Sequence, residues 1–278
     1  MDLLAGYSII ELVMFAVGLL ATGIIAGVIA GLLGVGGGIV IVPVLFHIFT
    51  TLGIDESIRM HLAVGTSLGT IIPTSIRSVR AHHKKGAVDW ALLRRWAVPM
   101  LLGVLLGTVL ASHVDGKVLT GVFAVFAIVI AANLVFGREE WRLGSDLPSL
   151  PTQSAIATVI GGLSSMMGIG GGTFGVTTMT LFGRPIHQAV ATSAGLGLII
   201  SVPGAIGFLV SGLSAENLPP FSVGYVNLIG LALIVPMTVL SAPWGAALAH
   251  KISRQTLARA FAFFLLVTSV KMMMGLFA

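Results

Sequence analysis

The chain has 278 residues, of which 56% are hydrophobic and only 9% are charged. A soluble domain has about a quarter of its residues charged, so this composition excludes an ordinary soluble protein and favours a surface that faces lipid. There is no cysteine, which excludes disulfides, thiolate metal sites and thiol nucleophiles. The net charge of +5 comes from basic residues in short connections between apolar segments, which is typical of membrane topology rather than nucleic-acid binding.

Ten apolar segments are predicted along the chain, five in each half. They are Ser8–Leu33, Ile39–Leu52, His61–Ile76, Trp96–Ser112, Val118–Phe136, Ser154–Met167, Thr173–Phe182, Ala189–Val210, Tyr225–Ala249 and Leu257–Phe277. A full crossing needs about 20 residues, so the second and seventh segments are too short to span a bilayer. The first segment is expected to be a retained helix, because no basic region precedes it as in a signal peptide.

Basic residues predict the orientation of these segments. Six of them lie in the connection 77–95, which we therefore place on the cytoplasmic side. Alternating outward from this connection leaves only Arg59, Lys117 and Lys271 on the opposite side, and places both termini outside. The sequence therefore predicts a multi-pass protein of the cell (inner) membrane.

Three motifs recur in the same order in the two halves of the chain. They are Leu33–Gly38 and Met167–Gly172, His61–Ser67 and His187–Ser193, and Val98–Met100 and Val235–Met237. An odd number of segments in each copy would make the second copy enter the membrane in the opposite direction. We therefore predict an all-α integral membrane fold with two inverted repeats, 1–136 and 153–278, joined by a cytoplasmic linker, 137–152.

The triple-glycine motifs are the first candidates for a binding site. Nucleotide binding is disfavoured, because there is no preceding strand, no acidic residue at the required distance and no Walker lysine. A short helix that begins inside the bilayer would instead leave its first N–H groups free for an anion. The alternative is that these glycines only let helices cross closely. The candidate glycines are Gly36, Gly37, Gly38, Gly170, Gly171 and Gly172.

Hydroxyls and histidines inside apolar segments complete the predicted site. Thr66, Ser67, Thr192 and Ser193 recur at equivalent positions and could donate to an anion, or could satisfy only backbone carbonyls. The candidates for proton or ion coupling are His47, His61 and His187; the last two could equally be helix caps or interface residues. Every carboxylate lies near a segment end or in a connection, which disfavours a cation site, and no cofactor or metal is expected.

The run from Gly27 to Gly38, continued by Val42-Pro43, its echo at Gly161–Gly172 and the closing pattern Leu257–Lys271 resemble the sulfite exporter TauE/SafE family. The resemblance implies a multi-spanning inner-membrane permease for sulfite, sulfonates or related organosulfur anions. The family's glycine motifs correspond here to Gly34, Gly36–Gly38, Gly168 and Gly170–Gly172.

The second copy of the motif departs from the first in its flanking residues. Ser164-Ser165-Met166 precede it and Thr173-Phe174 follow it. The two copies are therefore not expected to play equal roles.

Together these features predict a secondary transporter, not an enzyme, that moves a small sulfur-containing anion by alternating access. No ATPase signature is present, and the expected partners are the anionic substrate and membrane lipid, with the protein a monomer or a homodimer. One alternative is transport of another small anion, a carboxylate or thiosulfate; another is a non-transporting membrane protein. An intramembrane enzyme would need a catalytic set such as His-Glu-x-x-His, which the sequence lacks.

Overall fold

The computed structural model describes residues 8–33, 37–137, 141–248 and 254–276, and this part of the chain folds into ten α-helices and one short β-hairpin. The helices are α1 Ile9–Leu33, α2 Gly38–Thr51, α3 Glu56–His83, α4 Trp90–His113, α5 Gly116–Phe136, α6 Leu150–Met167, α7 Gly172–Leu181, α8 Ile186–Ser211, α9 Leu228–Leu248 and α10 Arg254–Gly275. The hairpin pairs β1, Ser222–Val223, with β2, Val226–Asn227, in antiparallel register.

The second and seventh helices are short, as predicted, with 14 and 10 residues. The third and fourth helices begin earlier than their apolar segments, because Asp55 and Asp89 accept hydrogen bonds from amides in their first turns. The predicted basic connection is also mostly helical, because α3 continues through Arg77 and Arg80 to His83 and α4 begins at Trp90. The predicted linker 137–152 ends in a helix, because α6 begins at Leu150.

The outer surface of the bundle is apolar, as a lipid-facing surface must be. Five helices of the described part, α1, α4, α5, α8 and α9, contain stretches long and apolar enough to cross a membrane. On α4, Val98 and Leu106 expose 67% and 60% of their surface. A soluble protein rarely exposes apolar side chains in such continuous rows. The chain is therefore a multi-pass, all-α membrane protein.

The helices of the two halves pack against each other in corresponding pairs. The pairs are α1 with α9, α4 with α6, α3 with α8 and α5 with α10. Glycines permit the closest crossings: a β-carbon on Gly27 would overlap α9 at Thr238, and one on Gly103 would overlap α6 at Thr158. In both halves, the first helix packs against the fourth helix of the other half, as α1 does with α9 and α6 does with α4. Two related halves would produce this pattern. The inverted orientation stays a prediction.

Candidate functional site

Each short helix is preceded by a glycine with left-handed backbone geometry. The residues before α2 and α7 are Gly37, with φ +77°, and Gly171, with φ +66°, and neither supplies a side-chain cap. Glycine alone adopts this conformation without strain, so each turn depends on it. The first amides of both helices lack an intrahelical partner, and both starts are buried. The predicted site residue Gly36 and the family-motif residue Gly34 lie outside the described residues.

The two glycine turns meet inside the bundle. Gly38 lies directly against the carbonyl oxygen of Gly168, and the Ser67 hydroxyl donates a hydrogen bond of 2.7 Å to the same oxygen. The side chain of Ile71 lies between the turns, 2.8 Å and 3.1 Å from the positions that β-carbons on Gly38 and Gly170 would occupy. We call this contact, formed by residues 37–38, 168–172, Ser67 and Ile71, the glycine junction.

Five buried hydroxyls on four helices that pack together, α3, α6, α7 and α8, have no hydrogen-bond partner. They belong to Ser75 of α3, Ser164 of α6, Thr173 of α7, and Ser193 and Ser201 of α8, and we call them the hydroxyl cluster. An unpaired buried hydroxyl costs about 1–3 kcal/mol, so five within one region require an explanation. A ligand that accepts hydrogen bonds would supply one.

Three contacts place Ser164, Ser193 and Ser75 of the hydroxyl cluster at the second turn and along α7. The Ser164 Oγ lies 3.4 Å from the position of a β-carbon on Gly171, and the Ser193 Oγ lies 3.0 Å from that of Gly175. The Ser75 Oγ lies 2.5 Å from the corresponding position on Gly197, whose Cα borders Gly170. Ser193, Gly197 and Ser201 recur every four residues, so they share one face of α8.

The other predicted hydroxyls are already paired with the backbone. Thr66 accepts a 2.9 Å hydrogen bond from the amide of Asn227, and Thr192 accepts one of 3.0 Å from the amide of Asp89. Asn227 and Asp89 in turn accept from amides at the starts of α9 and α4. These reciprocal bonds tie each half to the other. Only Ser67 donates to a backbone carbonyl, that of Gly168, whereas Thr66 and Thr192 accept from backbone amides. Of the predicted four, Ser193 alone has a hydroxyl oxygen with no hydrogen-bond partner of any kind.

The three candidate histidines lie in different surroundings. His61 is buried, and its ring nitrogens lie 3.1 Å from the carbonyl oxygen of Ser57 and 2.9 Å from that of Ala111, so it links α3 to α4. His47 lies within α2, and its Nε2 has no partner. His187 is exposed at the start of α8. None of the contacts of these rings joins the glycine junction.

Four members of the hydroxyl cluster were not among the predicted site residues: Ser75, Ser164, Thr173 and Ser201. The offset that relates His61–Ser67 to His187–Ser193 also relates Ser75 to Ser201, so extending the repeat alignment along the third helix would have found this pair. Ser164 and Thr173 flank the second triple glycine in sequence. The first motif has no hydroxyl at the equivalent positions. This difference between the two motifs could have identified Ser164 and Thr173 from the sequence.

The glycine junction and the hydroxyl cluster contain no formal charge. Among the buried residues of the described part there is no lysine, arginine, aspartate or glutamate. The available groups are hydroxyls and the first amides of a helix, whose dipole places a partial positive charge at that end. Such a set can bind an anion through hydrogen bonds from the hydroxyls and the amides.

Comparison with known proteins identifies one family and several relatives that are named as membrane transporters. The model of the family described as "Sulfite exporter TauE/SafE" matches residues 19–272. A "Probable membrane transporter protein" of Haemophilus influenzae is 33% identical over 91% of this chain and 96% of its own length. Relatives with similar names in Methanocaldococcus jannaschii and Bacillus subtilis are 27% and 29% identical over 93% and 86% of this chain, and 93% and 90% of their own lengths. No solved structure matches.

Proposed function

The chain belongs to the sulfite exporter TauE/SafE family of membrane transporters, and we propose that it moves a small sulfur-containing anion, sulfite or a sulfonate, by alternating access. The anion binds at the second glycine turn, between the start of α7 and the hydroxyl cluster. The relatives' names support transport rather than catalysis, and no chemical step is part of the proposal.

The observation that carries this proposal is the set of unpaired hydroxyls beside an uncapped helix start. Ser164 and Thr173 flank the turn, and the amides of Gly172 and Thr173 belong to the first turn of α7. A sulfite or sulfonate group has three oxygens that point in different directions and need several donors. Hydroxyls from four helices, α3, α6, α7 and α8, can meet such a group from different sides.

The absence of formal charge from the described buried residues suits a transport site. A buried arginine or lysine would hold the anion strongly, whereas hydroxyls and amide dipoles offset its desolvation more weakly. A transported anion must also leave the site on each cycle, so moderate affinity is an advantage.

The position of the site supports alternating access. The glycine junction lies where the two halves touch, through the contact of Gly38 with Gly168. We propose that the halves 1–136 and 153–278 are inverted repeats that rock about this contact and expose the site to one side at a time. The reciprocal bonds of Thr66 and Thr192 support this relation, because they join equivalent positions in opposite directions along the chain.

The substrate is tested by measuring flux in vesicles that contain the purified protein. We expect saturable, protein-dependent flux of sulfite or of a sulfonate such as taurine or sulfoacetate. Acetate and thiosulfate are measured in parallel, because preferential flux of either would assign the site to the corresponding alternative anion. Flux of none of these anions above that of protein-free vesicles would contradict the proposal and favour a non-transporting membrane protein.

A further inference from the structure

Arg184 lies just beyond the end of α7, at the opposite end of this helix from the second glycine turn. Its Nη2 donates a hydrogen bond of 3.2 Å to one carboxylate oxygen of Asp146 in the linker. Its Nε is buried and has no hydrogen-bond partner among the described residues. Nε and Nη2 form one edge of the guanidinium group, which can donate to two oxygens of an oxyanion at once. Asp146 therefore uses only half of this edge.

The linker backbone holds Asp146 across the end of α7. The amide of Leu143 donates a hydrogen bond of 2.8 Å to the carbonyl oxygen of Leu181. The carbonyl oxygen of Ser145 lies 2.9 Å from the position of a β-carbon on Gly183. The Asp146 side chain is 78% exposed, so its carboxylate can leave the guanidinium group and be hydrated at little cost. The end of α7 is thus covered by a carboxylate that is kept close but is bound weakly.

The corresponding end of α2 has no such ion pair in the described part of the chain. α2 is also followed by a glycine with left-handed geometry, Gly53 with φ +66°, as α7 is followed by Gly183 with φ +77°. No described atom lies within 4 Å of the position of a β-carbon on Gly53, and the next residue is Ile54 rather than an arginine. The covered arginine is therefore peculiar to the half whose glycine turn has unpaired hydroxyls beside it.

One face of α7 joins Arg184 to the hydroxyl cluster. Thr173, Thr177 and Thr180 are spaced by four and three residues, so they share a face of this helix. Thr173 belongs to the hydroxyl cluster, and Thr177 accepts a hydrogen bond of 3.4 Å from Asn133 of α5. α7 has 10 residues and is about 15 Å long, so hydroxyl groups follow one another at intervals of about 5 Å between its two ends.

We propose that Arg184 is the first binding site of the transported oxyanion on the linker side of the protein, and that Asp146 occupies this site until the anion displaces it. The oxyanion takes the place of the carboxylate at Nη2 and accepts a second hydrogen bond from Nε. It then passes along the threonine face of α7 to the hydroxyl cluster, while the carboxylate of Asp146 stays in water. This entry site rests on the proposed function, since it serves the same anion.

The test compares Asp146→Asn with Arg184→Gln, because competition predicts opposite effects of the two variants. Asparagine keeps the shape of the side chain and an oxygen for the amide of Leu147, from which Asp146 accepts a hydrogen bond of 2.8 Å. The matched controls are Glu56→Gln and Lys117→Gln, which break the other ion pair of the described part of the chain, also partly exposed. Binding of sulfite and of sulfoacetate is measured from the thermal unfolding temperature in neutral detergent. The KM and kcat of their flux are measured in vesicles.

We expect Asp146→Asn to lower the Kd and the KM for the anion about two- to fivefold, because an exposed ion pair no longer competes for the guanidinium group. Arg184→Gln should raise both constants about tenfold, because charge-assisted hydrogen bonds to the anion are lost. The control variants should match the wild type. An ion pair that only stabilises the fold would instead give the same direction of change in both variants.

The proposal is overturned if the two variants shift the Kd and the KM in the same direction, or if they behave like the controls. Binding with opposite shifts but without flux would contradict only the proposed function. Flux of the anion without opposite shifts would contradict only the role of Arg184. The absence of both binding and flux would contradict both.

Discussion

The Gly38→Ala variant is expected to insert into the membrane and to lose transport by about a hundredfold. Gly38 opens α2, and the added methyl group would overlap the carbonyl oxygen of Gly168 and lie 2.8 Å from the Ile71 side chain. This carbonyl belongs to the backbone of a tight turn, so it cannot move aside by changing a side-chain rotamer. The two glycine turns must therefore move apart, and displacements of about 1 Å at a site are enough for losses of this size.

The matched control for this variant is Gly18→Ala. Gly18 also lies in an α-helix, and no atom comes within 4 Å of the position of its added β-carbon. This control is expected to transport normally, because alanine is tolerated in an open helix position. Membrane fractionation and thermal unfolding show whether each variant is inserted and folded. A folded Gly38→Ala protein with flux equal to that of Gly18→Ala would contradict the proposed role of the glycine junction.

The second large effect is expected from removing hydroxyls without changing the size of the side chains much. The Ser164→Ala/Thr173→Val variant should bind and transport the anion at least about a hundredfold less well, because each hydrogen bond to a charged group contributes about 1.5–3 kcal/mol. Its thermal stability should stay the same or rise slightly. Both hydroxyls are buried without partners in the unliganded protein, so their removal leaves no group unsatisfied.

The combination of lost binding with retained stability separates a ligand site from a structural contact. Ser269→Ala is the matched control, because Ser269 is also buried without a partner but lies on α10, outside the hydroxyl cluster. It should gain or keep stability and keep full flux. Flux and stability are measured on the same preparations. If the double variant transports as well as Ser269→Ala does, the hydroxyl cluster has no role in binding the anion.

Much of the architecture could be predicted because membrane insertion and helix formation follow local rules. The brevity of the second and seventh helices follows from their apolar length. Their start at the last glycine of each triplet follows from the conformational freedom of glycine. The extension of α3 to His83 was less predictable. The last turns of α3 are basic, so a prediction based on apolar residues alone assigns them to a connection, although they continue the helix.

The assignment of individual hydroxyls depended on tertiary contacts. Thr66 and Asn227 are 161 residues apart, and Ser67 and Gly168 are 101 apart, so no local pattern shows that these hydroxyls are already engaged with the backbone. Conversely, Ser75 looks like an ordinary helix residue in the sequence. It becomes part of the hydroxyl cluster only because α3 packs on α8 beside Gly197.

The central claim is that a small anion sits where α7 begins, and diffraction from crystals soaked in selenite tests it most directly. Selenite has the shape and charge of sulfite, and the anomalous scattering of selenium locates it independently of the protein density. We expect one strong anomalous peak within hydrogen-bond distance of the first amides of α7 and of Ser164. Anomalous peaks confined to the protein surface, with none at the glycine junction, would contradict the account.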